Sequence, residues 1–123
     1  MLCRDLVHLV NAETVRLDDL ETVMASEVVG VFQHAYRALR GGGMIELSFL
    51  DWAWCIQYSK DIRGTDQKLA DALYDRPRKM VFDELFIIRM LFQAGFYKIW
   101  SGHVPELPEW LLYAKAVKLL SSR

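Results

Sequence analysis

Residues 39–50 read Leu-Arg-Gly-Gly-Gly-Met-Ile-Glu-Leu-Ser-Phe-Leu, and how this stretch is divided decides the fold. Gly41-Gly42-Gly43 is suited to closing a helix, because glycine reaches left-handed backbone without a Cβ clash. Ser48 then caps the next helix, with Asp51 at the third position of Ser-Phe-Leu-Asp. Against that division, Ile45, Leu47 and Phe49 alternate with a strand-like period, as do Val15 and Leu17. The helical division predicts an all-α domain. The alternation predicts a mostly helical α+β domain with a small two-stranded ribbon near 14–17 and 44–49.

The punctuation on either side favours the helical division. Upstream, Leu2, Leu6 and Leu9 recur at helical spacing before Asn11 closes a short segment. Asp18 and Glu21 form a capping-box-like start. From there Leu17, Leu20, Met24, Val28, Val31 and Ala35 follow one stripe, broadened by Phe32 and Leu39. Gly30 inside this helix costs about 1 kcal/mol relative to alanine, which predicts close approach by another helix. Downstream, the helix opened at Ser48 runs to about Arg63 and stops at Gly64. Thr65 caps a short helix bearing Leu69, Ala72 and Leu73, which ends before Pro77. A long helix comes next over 78–100, and Pro108 opens a last one through about Leu120. The expectation is a single helical domain over 1–123, a compact bundle of about five helices around a central apolar helix near 78–100.

On that central helix Val81, Leu85, Ile88, Phe92, Gly95, Phe96 and Ile99 share one apolar face. The opposite side still carries Phe86, Ile87, Met90, Leu91 and Ala94 among polar residues, so neighbours are expected on both sides. In the helix from Ser48, Phe49, Trp52, Ala53 and Ile56 form the inward stripe. Trp54 and Tyr58 lie one turn apart on another face, in the manner of paired aromatic anchors.

Composition narrows the class. The chain has 123 residues, near the size of one domain, and 53% of them are hydrophobic, which excludes disorder. Fifteen basic residues against sixteen acidic ones leave no positive surplus for holding nucleic acid through its phosphates. Two cysteines, Cys3 and Cys55, do not make a disulfide framework. The start shows no basic segment followed by a long apolar one, so no signal peptide is expected. The most apolar stretch, Met80 to Trp100, is interrupted by Asp83, Glu84, Arg89, Gln93 and Lys98, so it is not expected to span a membrane. The expected location is the cytoplasm.

No catalytic set assembles. His8, His34 and His103 are scattered without metal-ligand spacing, and no metal or cofactor is expected. The triple glycine follows a helix, whereas a phosphate loop follows a strand. Arg4 and His8 stand closer together than the arginine-to-histidine motif of the helical HEPN ribonucleases requires. Arg76-Pro77-Arg78-Lys79 is the concentrated basic run, diluted by Asp75, Asp83 and Glu84. With Arg89, which sits at the edge of an apolar stretch, Arg76, Arg78 and Lys79 are the candidate anion-binding residues. If Arg89 is buried it needs a carboxylate such as Asp51 or Asp61.

The expected function is therefore a small intracellular non-catalytic protein-interaction module, of regulator, inhibitor or adaptor type, able to self-associate. Its partner-binding residues are Trp54, Tyr58, Ile87, Met90, Trp110 and Tyr113. A protein partner or homo-oligomer is expected, not nucleic acid or a membrane. The alternative is a small-molecule-binding protein or small enzyme with an interhelical pocket holding one ionic group, such as Arg89 or Glu84.

Overall fold

The computed structural model describes residues 3–61 and 66–120. It corrects the all-α expectation: the chain is α+β and is built on a four-stranded mixed sheet. In order, β1 (Ala12–Leu17), α1 (Val28–Ala38), β2 (Leu39–Leu50), α2 (Trp52–Asp61), α3 (Gln67–Tyr74), α4 (Glu84–Gln93), β3 (Tyr97–Gly102) and β4 (Leu111–Val117) succeed one another. Short 3-10 turns cover Cys3–His8, Leu20–Thr22 and Ala25–Glu27. The sheet order is β1-β2-β4-β3. β1 runs parallel to β2, and β4 is antiparallel to both β2 and β3.

The decisive stretch is one strand. α1 ends at Ala38, where Leu39 turns extended (φ −83°, ψ 144°), and β2 runs through the glycines. Ala12 pairs with Leu39 and Thr14 with Met44, so the glycines form an irregular loop-out in which β2 advances further than β1. A Cβ on Gly43 would stand 2.9 Å from the Arg40 carbonyl oxygen and 3.1 Å from that of Ala12, which accounts for a glycine there. Beyond the irregularity Val15 pairs with Ile45 and Leu17 with Leu47. The two alternating segments thus pair in parallel inside a larger sheet, not as a ribbon attached to a bundle.

Two further helices give way to strands. The segment after Pro108 is β4, in which Leu112, Ala114 and Ala116 are buried on one side. Alanine at 114 and 116 and lysine at 115 suit a helix as well as a strand, which conceals the alternation. The long central helix is only Glu84–Gln93. Asp83 caps it by accepting the Leu85 N–H, and Gly95 ends it at φ +109°. The remainder of the expected helix, Tyr97–Gly102, is β3.

The core lies between one sheet face and the helices α1 and α4. Val15, Leu17, Ile45, Leu47, Phe49, Leu112, Ala114 and Ala116 meet Val28, Phe32 and Ala35 from α1 and Ile87 and Leu91 from α4. Each large side chain among them contributes about 1.5–3 kcal/mol by leaving water. The expected inward face of α4 is reversed: Leu85 and Phe92 are exposed while Ile87 and Leu91 are buried. The same holds for α2, where Trp52 and Ile56 face solvent and Cys55 is buried. Gly30 has no atom within 4 Å of an added Cβ, so no helix approaches it closely. A smaller cluster of Leu50, Cys55 and Ala72, with Trp54, Leu69, Leu73 and Trp110 against it, ties α2 and α3 to the end of β2. Asp66 caps α3 by accepting the Leu69 N–H. Leu2, Gly64 and Thr65 lie outside the described residues. No helix among the described residues is long and apolar enough to cross a membrane.

Candidate functional site at the strand ends

β1 and β2 both deliver their carboxyl ends to the same edge of the sheet, at Leu17 and Leu50. Buried beside them is Glu21, 1% exposed. Arg78 Nε donates to Glu21 Oε2 at 2.6 Å, and the Leu50 N–H donates to the same oxygen at 3.3 Å. Arg76 Nη2 lies 3.2 Å from Glu21 Oε1. That contact is an ion pair without hydrogen-bond alignment, and Arg76 Nε has no acceptor among the described residues. We read it as Coulombic attraction, since proximity of opposite charges does not need the angle that a hydrogen bond does.

The rest of the cluster straps residues 75–80 over the strand ends. Lys79 N–H and Met80 N–H donate to the Glu21 carbonyl at 2.8 and 3.0 Å. Arg76 Nη1 donates to the Asp18 carbonyl and to Ser48 Oγ, and Ser48 Oγ donates to Asp18 Oδ1 at 2.7 Å. Arg78 Nη1 donates to the Ala72 and Leu73 carbonyls at the end of α3, and Nη2 donates to Asp75 at 2.6 Å. Asp75 also accepts from Trp110 Nε1 at 3.0 Å.

This ion cluster borders a cleft of about 420 Å³ between the starts of α2 and α4, just outside the carboxyl end of β2. Leu50, Val81, Phe82 and Leu112 give it an apolar lining, and Trp52 and Ile56 line it from α2. Its ionisable lining residues are Asp51, Asp83 and Glu84, all acidic. Asp51 is fully engaged, with Oδ1 accepting the Trp54 N–H at 3.1 Å and Oδ2 2.9 Å from His103 Nε2. Asp83 uses Oδ1 as the α4 cap, and Glu84 accepts from Ser101 Oγ through Oε2. Among the described residues the second oxygens of Asp83 and Glu84 take no hydrogen bond. An apolar cleft with an indole and unshared carboxylate oxygens is suited to a small organic cation. A second, more open cleft of about 490 Å³ lies near Asp19, Thr22, Met24 and Lys79. There Asp19 is occupied by the Cys3 N–H and thiol, and burial followed by that carboxylate drives the Cys3 pKa strongly upward.

The residues singled out from sequence fall elsewhere. Trp54 stacks on Tyr58 at 4.7 Å and 9°, and Trp110 lies 6.1 Å from Trp54, so these three pack within the chain over the smaller cluster. Tyr58 donates to Asp66, and burial leads the causes raising its pKa. Ile87 is in the main core and Met90 packs against it. Tyr113 is half-buried on the open sheet face, 6.2 Å from Trp100. Burial, then the nearby Glu46 carboxylate, raises its pKa. Arg89 and Lys79 are exposed, while Arg76 and Arg78 are spent on Glu21. Glu84, expected from sequence as the ionic group of a pocket, does line the cleft. Glu21, Trp52 and Asp83 carry no sequence signal for this place, because their grouping depends on strand topology. Among the described residues no group of three or more His, Cys, Asp or Glu could hold a metal ion.

No protein-family model and no curated protein sequence matches the chain. Solved structures do. A possible exported protein from Bordetella parapertussis superposes with a TM-score of 0.69 at 17% identity, covering 97% of this chain and 43% of that one. A SAM-dependent methyltransferase from Thermotoga maritima, described as a possible histamine N-methyltransferase, gives 0.58 at 18% identity, over 89% of this chain and 58% of that one. The likeness is one of fold. A putative O-methyltransferase from Nostoc punctiforme gives 0.65 at 16% identity, over 91% of this chain and 33% of that one. The chain therefore shares the Rossmann-like architecture of part of these methyltransferases and spans less than two thirds of each. This architecture overturns the expectation of a helical interaction module.

Proposed function

We propose that the chain forms the acceptor side of a small-molecule transferase of the methyltransferase fold, holding an organic amine in the cleft at the end of β2. The observation that carries this is the placement of that acidic, indole-lined cleft outside the carboxyl end of a parallel strand, where open α/β sheets bind their ligands. Asp83 and Glu84 would hold the ammonium group, Trp52 would cover the apolar body, and a freed carboxylate oxygen would receive the proton that an amine sheds on substitution. The fold likeness to the Thermotoga maritima protein, a possible histamine N-methyltransferase, agrees with an amine acceptor.

The S-adenosylmethionine that such a fold implies does not fit these residues. A nucleoside cofactor in a doubly wound sheet lies over a glycine-rich turn between a strand and the next helix. Here the turn from β1 to α1, residues 18–27, contains no glycine, and the side chains of Leu20 and Glu21 are buried in it. No step is assigned to the cofactor in this chain. The cytoplasm is proposed as the compartment, supported by free rather than paired Cys3 and Cys55.

The test is a titration of histamine, tryptamine and phenethylamine against their carboxylate counterparts, followed by calorimetry. The amines are expected to bind and the acids not. Glu84→Gln should weaken amine binding about 10–100-fold, the range for losing a charge-assisted hydrogen bond. Equal binding of acids and amines, or indifference to Glu84→Gln together with Trp52→Ala, would refute the assignment.

A further inference from the structure

The cleft at the end of β2 has a buried floor and an apolar rim. Leu50, Phe82 and Leu112 are buried, whereas Trp52, Ile56 and Val81 stand between 41% and 44% exposed. Single exposed apolar residues are ordinary, but three around one mouth form a patch suited to covering by a ligand or partner. Trp52 and Ile56 also line a second cavity, of about 170 Å³, between α2 and α3. They are four residues apart on α2, one above the other, about 6 Å along its axis. The two cavities thus share this pair as a common wall. Leu50 of the smaller cluster lines the one, and Cys55 of the same cluster lines the other.

The two cavities differ in chemistry. The first has Asp51, Asp83 and Glu84 in its lining. The second has Leu69 and Leu73 from α3, with Cys55 and Ser59 beside them. The Ser59 hydroxyl is spent on the Ile56 carbonyl at 2.8 Å, and burial, the largest influence on Cys55, raises its pKa and keeps the thiol neutral. No residue lining this second cavity carries a charge, so it suits hydrocarbon. From this pairing, and resting on the amine reading above, we infer that the substrate is an amphiphilic amine with a flexible alkyl tail. Its ammonium group lies at Asp83 and Glu84, and the tail crosses Trp52 and Ile56 into the cavity against Leu69 and Leu73. Histamine and phenethylamine match the head and leave the second cavity empty.

The experiment measures butylamine, hexylamine and octylamine binding to the full chain by calorimetry, with octanoate as the control for charge. Each methylene that leaves water strengthens binding about 3–4-fold, so octylamine should bind roughly 80–250-fold more tightly than butylamine. Methyl signals of Leu69 and Leu73, followed by nuclear magnetic resonance, should move with octylamine and stay in place with butylamine. Ile56→Gln, on the exposed side of α2, should weaken octylamine binding at least 10-fold more than it weakens butylamine binding. Equal affinities for butylamine and octylamine, or Leu69 and Leu73 methyls unmoved by octylamine, would overturn the inference and leave the amine reading standing. Octanoate binding as tightly as octylamine would overturn the amine reading, and the inference with it. A sedimenting dimer that Ile56→Gln dissociates and octylamine does not would assign the rim to a second copy of the chain instead.

Discussion

Replacing Glu21 by glutamine is the sharpest perturbation of the strand-end cluster. The change keeps size and shape but removes the charge that two guanidinium groups face. Arg78 has 7% of its side chain exposed and Arg76 has 19%, against 1% for Glu21, so water cannot take over the missing charge. Breaking one side of a buried pair leaves an uncompensated charge and costs about 3–5 kcal/mol. A single domain has roughly 5–15 kcal/mol of stability, so the midpoint should fall by roughly 10–20 °C. Urea unfolding followed by tryptophan fluorescence measures the change, with an unchanged slope showing that the native fold persists. The combination Glu21→Leu, Arg76→Met and Arg78→Met should recover most of the loss, because apolar replacements of a whole buried ion cluster are often neutral. A cost below about 1 kcal/mol for Glu21→Gln would place the cluster in water and refute its role as the strap across the strand ends.

Two glycines offer opposite outcomes in the same assay. Gly30→Ala, in open space within α1, should stabilise by about 0.5–1 kcal/mol. Gly43→Ala should destabilise by more than about 1 kcal/mol, because its Cβ would meet backbone oxygens of Arg40 and Ala12. Phe32→Ala should cost about 3–5 kcal/mol, measured by urea unfolding, as Phe32 is fully buried between the sheet and α4. The thiols predict an alkaline limit. Burial raises the pKa of both Cys3 and Cys55 in the folded chain. Their contribution is complete below the unfolded value near 8.5 and is lost as pH rises beyond it. Stability should therefore begin to fall above about pH 8.5 and go on falling as pH rises, less so in Cys3→Ala, and thiol alkylation at pH 8.5 should be slow until the chain unfolds.

Some of this fold is visible in the residues and some is not. Val15–Leu17 and Ile45–Phe49 show the period of a strand, and they do pair, Val15 with Ile45. The triple glycine hides their context, because the feature that ends a helix also permits the close approach of Gly43 to β1. β4 escapes notice since Leu112, Ala114 and Ala116 alternate among residues that are equally at home in helices. In α4 the helical period is plain, but its cap is Asp83, and the buried side is chosen by the sheet beneath it. Local spacing does not determine which apolar stripe finds a partner. The strand-end cluster is the least legible part. Glu21 and Arg78 are distant in sequence and meet only because a parallel crossover brings the ends of β1 and β2 together. Glu84 is legible only as one of two ionic groups, with Arg89, inside an apolar stretch, whereas spacing alone puts Trp52 on an inward face that it does not occupy.

The most direct test of the proposed site uses the chain's four tryptophans as reporters. Trp52 lines the cleft, Trp54 and Trp110 pack together against the smaller cluster, and Trp100 lies on the open sheet face. Their indole N–H signals, assigned by single replacement with phenylalanine, are followed by nuclear magnetic resonance while tryptamine is added to the isolated chain. Saturable movement of the Trp52 signal, with the other three unmoved and the response abolished in Asp83→Asn with Glu84→Gln, is the predicted result. Movement centred on Trp54, Trp110 or Trp100, or no saturable movement at all, would contradict an amine site at the carboxyl end of β2.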